Sequence, residues 1–436
     1  MAKTKKTDWA GIIIVLLLIL TPLTAAADIR DILLKFRPYV TVQEEYNSNL
    51  NLTAGNRIDD FITTVNTGLK FSALKEQTYG IDLDFGAGFV YYAKNDKFNF
   101  FSPYPSLTAW YAMTPRLTFR VREYFSRSDE PRERDFAPGA LPGQFLLGTQ
   151  RQRSIYIRNV FEPSMDYQFG QEDRISINYR NNLYNTQNRF SEDSQENFIG
   201  STLTHWFNIK NGVSLSYGFT KGDFERSPDF TAHSAIGRYT YRFSPRTSVF
   251  GEYNYAQHDF GSPSVGPSSS SSADYAVHTS SVGVTHAFSP TLSGGAQLGY
   301  FQQKPDEGPA TSGLSYNLNL SRQAQKTTYT FFFQGGYTED FFTAENRGFS
   351  KYHRLIGTVT HRLQERATIG GYSSFEQAKS GAGETDRIWG IGANGSYQLL
   401  KWMSLALDVS HRENRSDIAD NDYSEYRAIF RVTASY

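Results

Sequence analysis

Along most of this chain apolar and polar side chains change places residue by residue, and the alternation is broken at intervals by tight corners. Successive Cβ atoms of an extended strand point to opposite faces, so each alternating tract reads as a strand with one oily and one wet side. The stretch "YRFSPRTSVFGEYNYAQ" (241–257) holds the unit: two tracts joined at Ser244-Pro245-Arg246. Corners of this kind fall near Lys75, Pro115, Gln171, Lys210, Pro245, Pro290, Gln325, Gln364 and Leu400. Longer segments rich in Gly, Ser, Asn, Asp and Pro separate the units, with 126–150 and 259–274 the extremes. Helical spacing is confined to "DIRDILLKF" (28–36), a short lead-in or plug segment, and Ser268 to Ser272 read as a loop tip.

Short turns alternating with long loops, around strands of about 9–11 residues, are the pattern of an outer-membrane barrel. A propeller would also repeat, but would not alternate loop length in this way. The 28 Tyr, 33 Phe and 5 Trp sit in a chain that is polar on average, with mean hydropathy −0.49. A soluble domain of this size would show continuous runs of Leu, Ile and Val. The expected fold is therefore all-β: a transmembrane antiparallel up-and-down barrel of about twenty strands (18–22), the first near 38–46 and the last near 423–436. Unpaired backbone groups are not tolerated in hydrocarbon, so the strands must close into a ring.

Parity then assigns faces. An Arg or Lys on the lipid side costs about 2–4 kcal/mol at the midplane, so the charged parity is expected to line a wet lumen. That face collects Arg120, Arg122, Arg158, Arg174, Arg180, Arg354, Arg412, Arg427 and Arg431, with Asp82, Asp84, Glu162, Asp166, Glu252 and Asp408. One reading of these charges is a solvated wall paired across strands. The other is a track for a polar or acidic polymer, in which Arg forks meet carboxylates and rings stack on sugars. The last strand, "YRAIFRVTASY", puts Phe430, Val432 and the terminal Tyr436 on the apolar parity, which resembles the signal read by the outer-membrane assembly machinery.

Residues 1–27 are expected to be a signal peptide: Lys3, Lys5 and Lys6, an apolar run from Ile12 to Leu20, then Ala25-Ala26-Ala27. A lead-in over 28–37 and a barrel over 38–436 complete the expected organisation. Without Lys3, Lys5, Lys6 and Asp8, the 44 basic and 44 acidic residues leave a net charge near −2, which gives no argument for nucleic acid as a partner. The chain has no cysteine, which excludes a lipoprotein, disulfides, thiolate metal sites and covalent c-type haem. No cofactor or metal is expected. His205, His286 and His361 each follow a Thr just before a turn, on the outward parity, where an amphipathic ring belongs at headgroup level; Tyr111, Tyr167, Tyr241 and Tyr397 take the matching places. His233, His258, His278, His353 and His411 are the candidates for a hydrolase, but none sits in a nucleophile motif.

At the first strand, "VTVQEEYNSNLNL" (40–52) resembles the opening of the putative β-barrel porin family of Gram-negative outer membranes. Glu44, Tyr46, Asn49 and Leu50 match its Glu-x-Tyr-x-Asp-Asn-aliphatic pattern, while Ser48 stands where Asp is usual. The resemblance implies an outer-membrane pore that serves polysaccharide export together with a periplasmic export protein. A general diffusion or nutrient porin is the alternative, and an outer-membrane hydrolase is a third. A conduit for a polymer should carry Arg and aromatic tracks along its height, and a diffusion porin one charged constriction from an inward loop; 126–150 is the candidate loop.

Overall fold

A computed structural model describes residues 36–130, 153–188, 191–261, 274–342, 348–381 and 383–436. The expected signal peptide, residues 28–35 of the lead-in, most of the 126–150 loop and the Ser268–Ser272 tip lie outside the described residues. The strands, in order, are β1 (Phe36–Asn47), β2 (Asp60–Lys75), β3 (Tyr79–Tyr92), β4 (Phe100–Pro103), β5 (Ser106–Thr114), β6 (Leu117–Ser128), β7 (Tyr156–Gln168), β8 (Arg174–Thr186), β9 (Ser194–Trp206), β10 (Asn211–Phe224) and β11 (Phe230–Ser244). They continue as β12 (Thr247–Phe260), β13 (Tyr275–Ser289), β14 (Leu292–Pro305), β15 (Thr311–Ala324), β16 (Thr327–Asp340), β17 (Gly348–Gln364), β18 (Ala367–Ser380), β19 (Thr385–Leu400), β20 (Met403–Ser416) and β21 (Tyr423–Ser435). β4 and β5 pair with the same neighbour, β3, and form one wall strand broken at Tyr104-Pro105, where proline has no N–H to donate. The wall therefore has twenty strands.

Every pairing is antiparallel between sequence neighbours, and the ring closes through β1 and β21, from Tyr39↔Ser435 to Asn47↔Arg427. All nine expected corners are turns between strands, six of them only two residues long: Pro115-Arg116, Pro245-Arg246, Pro290-Thr291, Gln325-Lys326, Glu365-Arg366 and Lys401-Trp402. The strands run 12 to 17 residues at most positions, longer than expected, and the first begins at Phe36 rather than Pro38. Strands of this length exceed the roughly 9–11 residues that a tilted strand needs to cross the hydrocarbon.

Five hairpins shift register by one residue at the turn: between Ala112 and Thr114, Arg242 and Ser244, Ala287 and Ser289, Arg362 and Gln364, and Gln398 and Leu400. A bulge of this type leaves one residue unpaired and re-aims its side chain. The skipped residue is Met113, Phe243, Phe288, Leu363 or Leu399, and each is exposed on the outward face. A ring of bulky apolar side chains thus rims the periplasmic edge of the oily belt. Above it, Leu215, Tyr217, Tyr253, Val282, Leu298, Leu318, Leu407 and Phe430 continue the exposed apolar face. Glu123 departs from this rule: it shares the parity of Phe119 and accepts a bond from Asn159 Nδ2 at 3.3 Å.

Candidate lumen and its mouth

The opposite face of the wall carries the charged residues, and the ladder registers bring them together. Arg120 meets Asp166, and Arg122 lies 3.6 Å from Glu162 across β6 and β7. Arg158 Nε donates to Asn182 at 3.0 Å. Arg180 Nε donates to Glu196 at 3.1 Å, Arg238 Nε to Glu252 at 2.6 Å, and Arg431 lies 3.1 Å from Asp408. Arg354 pairs with the fully buried Glu376 at 2.5 Å. Asp84 accepts from Tyr39 Oη at 2.9 Å, and Asp82 from Ser72. Arg174 begins β8 at the turn side, and Arg412 is buried in β20. Arg120, Arg122, Arg180, Arg238, Arg354 and Arg431 are thus each held by a carboxylate of the adjacent strand.

Glycine and aromatic residues add a second regularity. A Cβ on Gly283 would strike the Phe250 ring, one on Gly212 would meet Trp206 at 2.6 Å, and one on Gly200 would meet Phe198 at 2.8 Å. Each ring therefore lies flat in a glycine bed instead of projecting inward. A guanidinium caps each ring: Arg242 over Trp206 at 3.5 Å, Arg238 over Phe250 at 4.4 Å, and Arg180 over Phe198 at 5.1 Å. Glu172 in a turn, Glu252 and Glu196 fix the three arginines. The stacks climb one side of the wall from the periplasmic turn at Trp206 to the upper half of β9.

At the loop end, polar residues from distant strands are buried together. Arg427 grips Glu45 through two bonds of 2.7 Å and reaches Glu130 at 3.1 Å. Arg153 donates to Tyr92 Oη at 2.9 Å and to Asp129 at 3.3 Å. Asp129 is buried, and desolvation pushes its carboxyl above the ordinary range against the pull of Arg153. Asp129, Glu130 and Arg153 flank the long loop between β6 and β7, and their bonds draw its two ends inward against β1, β3 and β21. Asn49 and Leu50 of the opening motif are fully buried here. Asn49 donates to Thr53 O and Ser424 O and accepts from Thr53 N, tying the β1–β2 loop to β21. Leu50 packs on Ile62, Val90 and Tyr92. Glu44 and Tyr46 face outward instead, Glu44 accepting from Thr63 at 2.7 Å and Tyr46 tilted on Phe61.

Seven of the eight histidines lie on the outward parity. His286 and His361 bond Thr247 and Thr327 at 2.8 and 2.7 Å beside the turns, and His205 lies 3.2 Å from Asp173. Nearer the loop end a second set was not anticipated from sequence: Tyr217, Tyr253 and Tyr316 hydroxyls each lie 2.7 Å from Nδ1 of His233, His278 and His353 on a neighbouring or nearby strand, and His411 stacks on Tyr426 at 4.2 Å. These pairs satisfy polar ring atoms on an otherwise oily face. His258 is the one inward histidine.

A family model described as "Putative beta-barrel porin 2" matches residues 218–436. No curated protein matches the chain. Solved structures that match include the siderophore receptor PirA from Pseudomonas aeruginosa, at 10% identity and a TM-score of 0.52 over 92% of this chain and 80% of that one. The ferric enterobactin receptor PfeA of the same organism matches at 9% identity and a TM-score of 0.52, over 92% and 80%. The outer membrane protein opdK, also from that organism, matches at 10% identity and a TM-score of 0.43, over 92% and 99%. At these identities the PirA and PfeA likenesses are likenesses of fold.

Proposed function

Because this chain belongs to the family described as Putative beta-barrel porin 2 and forms a closed β-barrel of the bacterial outer membrane, we propose that it is the pore through which a secreted polysaccharide leaves the cell. The observation that carries this reading is the run of carboxylate-held, ring-stacked arginines along the lumen side, from Arg242 beside the periplasmic turn to Arg180 at the middle of β8. A conduit must bind weakly enough to release. Arginines already paired with Glu172, Glu252 and Glu196 offer hydrogen bonds to hydroxyls without a bare charge that would trap an acidic chain. The surface suits a neutral, hydroxyl-rich polymer better than a strongly anionic one. Passage needs no chemistry, and an enzymatic role is not part of the proposal: the outward histidines are spoken for by Tyr, Thr and Asp partners.

In this reading residues 1–27 are removed on export, and Phe430 and Val432 on the outward face of the last strand, with Tyr436 just past its end, present the chain to the assembly machinery. A periplasmic export protein would dock at the turn side, where the lumen opens to Trp206 and Arg242. A general diffusion or nutrient porin is the second reading, favoured by the charged residues that Glu130 and Arg153 bring inward at the mouth. Deleting the gene and scoring surface polysaccharide separates the two. Loss of polysaccharide with normal small-solute uptake is expected; unchanged polysaccharide with slowed uptake of small sugars would replace the proposal by the second reading.

A further inference from the structure

The upper end of β16 does not follow the wall. Its ladder with β15 stops at Tyr316↔Gly335, although the ladder with β17 continues to Asp340↔Gly348. Gly336 marks the departure with φ +148, a region that favours glycine. Beyond it the strand leans into the lumen. Tyr337 packs on Phe301 at 5.1 Å, and Glu339 accepts from Tyr275 Oη at 2.9 Å with His258 Nδ1 at 3.5 Å. Phe341 lies 4.8 Å from Phe230, and Phe342 stacks 5.5 Å from Phe224. Phe230, His258, Tyr275 and Phe301 lie on the parity opposite the exposed Tyr253, Val282 and Leu298, so the segment crosses to the inner face of β11–β14.

The position it leaves is still open for pairing. Residues Thr311 to Ser315 of β15 remain extended, held on their other side by β14 through Gln303↔Thr311 to Gly299↔Ser315. Lys351 Nζ donates to the Ser312 carbonyl at 2.8 Å, in the gap where β16 would lie. Carrying the Tyr316↔Gly335 register onward would set Leu314 opposite Tyr337 and Ser312 opposite Glu339. Tyr337 would then extend the outward face beside Leu314, already 61% exposed, and Glu339 would reach water above it. Two arrangements of the same residues are each self-consistent. One buries rings across the lumen, and the other completes a ladder.

We propose that residues 336–342 are a gate: folded in, they narrow the mouth, and zipped onto β15 they clear it. The described ends of the β6–β7 loop are suited to stay fixed, because Asp129 and Glu130 are held by buried ion pairs with Arg153 and Arg427, whereas residues 336–342 meet the inner face of β10–β14 mainly through aromatic contact. The gate rests on the reading of the barrel as a passage but not on polysaccharide as cargo.

The chain has no cysteine, so pairs introduced into it report cleanly. The L314C/Y337C variant, purified and inserted in planar bilayers, is expected to cross-link under oxidant and to conduct ions severalfold better than its reduced form, with reductant reversing the change. The F341A/F342A variant should raise open probability without a cross-link. Heat-modifiable gel mobility shows that each variant has folded. Failure of folded L314C/Y337C to cross-link, or cross-linking with unchanged conductance, overturns the gate, as does unchanged gating in folded F341A/F342A. Loss of the polysaccharide phenotype reading would leave these conductance results untouched.

Discussion

Replacing Arg427 by Ala removes a guanidinium that joins the last strand to the first. Its partner Glu45 is 3% exposed, and the two bonds between them are both 2.7 Å. Glu130, reached at 3.1 Å, loses a second contact. Removing one member of a buried pair leaves an uncompensated charge and costs about 3–5 kcal/mol. With a urea dependence of roughly 1–3 kcal/mol per molar, the unfolding midpoint in thin-bilayer vesicles should fall by about 1–5 M. The double replacement E45Q/R427M keeps volume while removing both charges, and Arg153 remains 3.8 Å from Glu130 to hold it. That variant should recover most of the loss, since exchanging a buried pair for neutral groups is often close to neutral. The assay is reversible urea unfolding followed by tryptophan emission, with gel mobility as the readout of barrel closure. If R427A costs no more than about 1 kcal/mol, the value of a surface pair, the mouth cluster is hydrated and the reasoning fails.

Three further outcomes are expected. L298R, on the exposed apolar face, should cost about 2–4 kcal/mol in the same assay, whereas Q297R on the adjacent inward position should cost clearly less. N49A leaves the Thr53 N–H and the Ser424 carbonyl without their bonds, at about 1–3 kcal/mol, and should expose the β1–β2 loop to protease. G283A drives a methyl into the ring bed of Phe250; overpacking of this kind costs about 1–3 kcal/mol, and the displaced ring should alter ion conductance, whereas G251A, with open space around its Cβ position, should be silent.

Much of the wall was legible because the bilayer enforces it locally. Side chains must alternate where one face meets lipid, so Val249, Gly251 and Tyr253 could be separated from Phe250, Glu252 and Asn254 by counting alone. The tight corners were legible for the same reason: alternation ends where Pro245 or Pro290 bends the chain. The histidines by the turns also declared themselves through parity. The gate did not. Tyr337 and Glu339 keep the spacing of outward residues, and only the Gly335-Gly336 step, one of three Gly-Gly pairs in the chain, marks where facing changes. The mouth cluster was hidden for a different reason. Tyr92, Asp129, Arg153, Glu45 and Arg427 come from segments far apart in the chain, and no local pattern announces their meeting. The Tyr–His pairs depend on cross-strand register, which sequence periodicity leaves open.

Single cysteines placed one at a time from Val249 to Tyr255 of β12, in vesicles, test the central claim most directly. A membrane-impermeant thiol reagent should label positions 250, 252 and 254, whereas 249, 251, 253 and 255 should be shielded and, with a fluorophore attached, quenched by lipid-borne spin labels. Uniform labelling along the run, or quenching on the even positions, would contradict a barrel with lipid outside and water within.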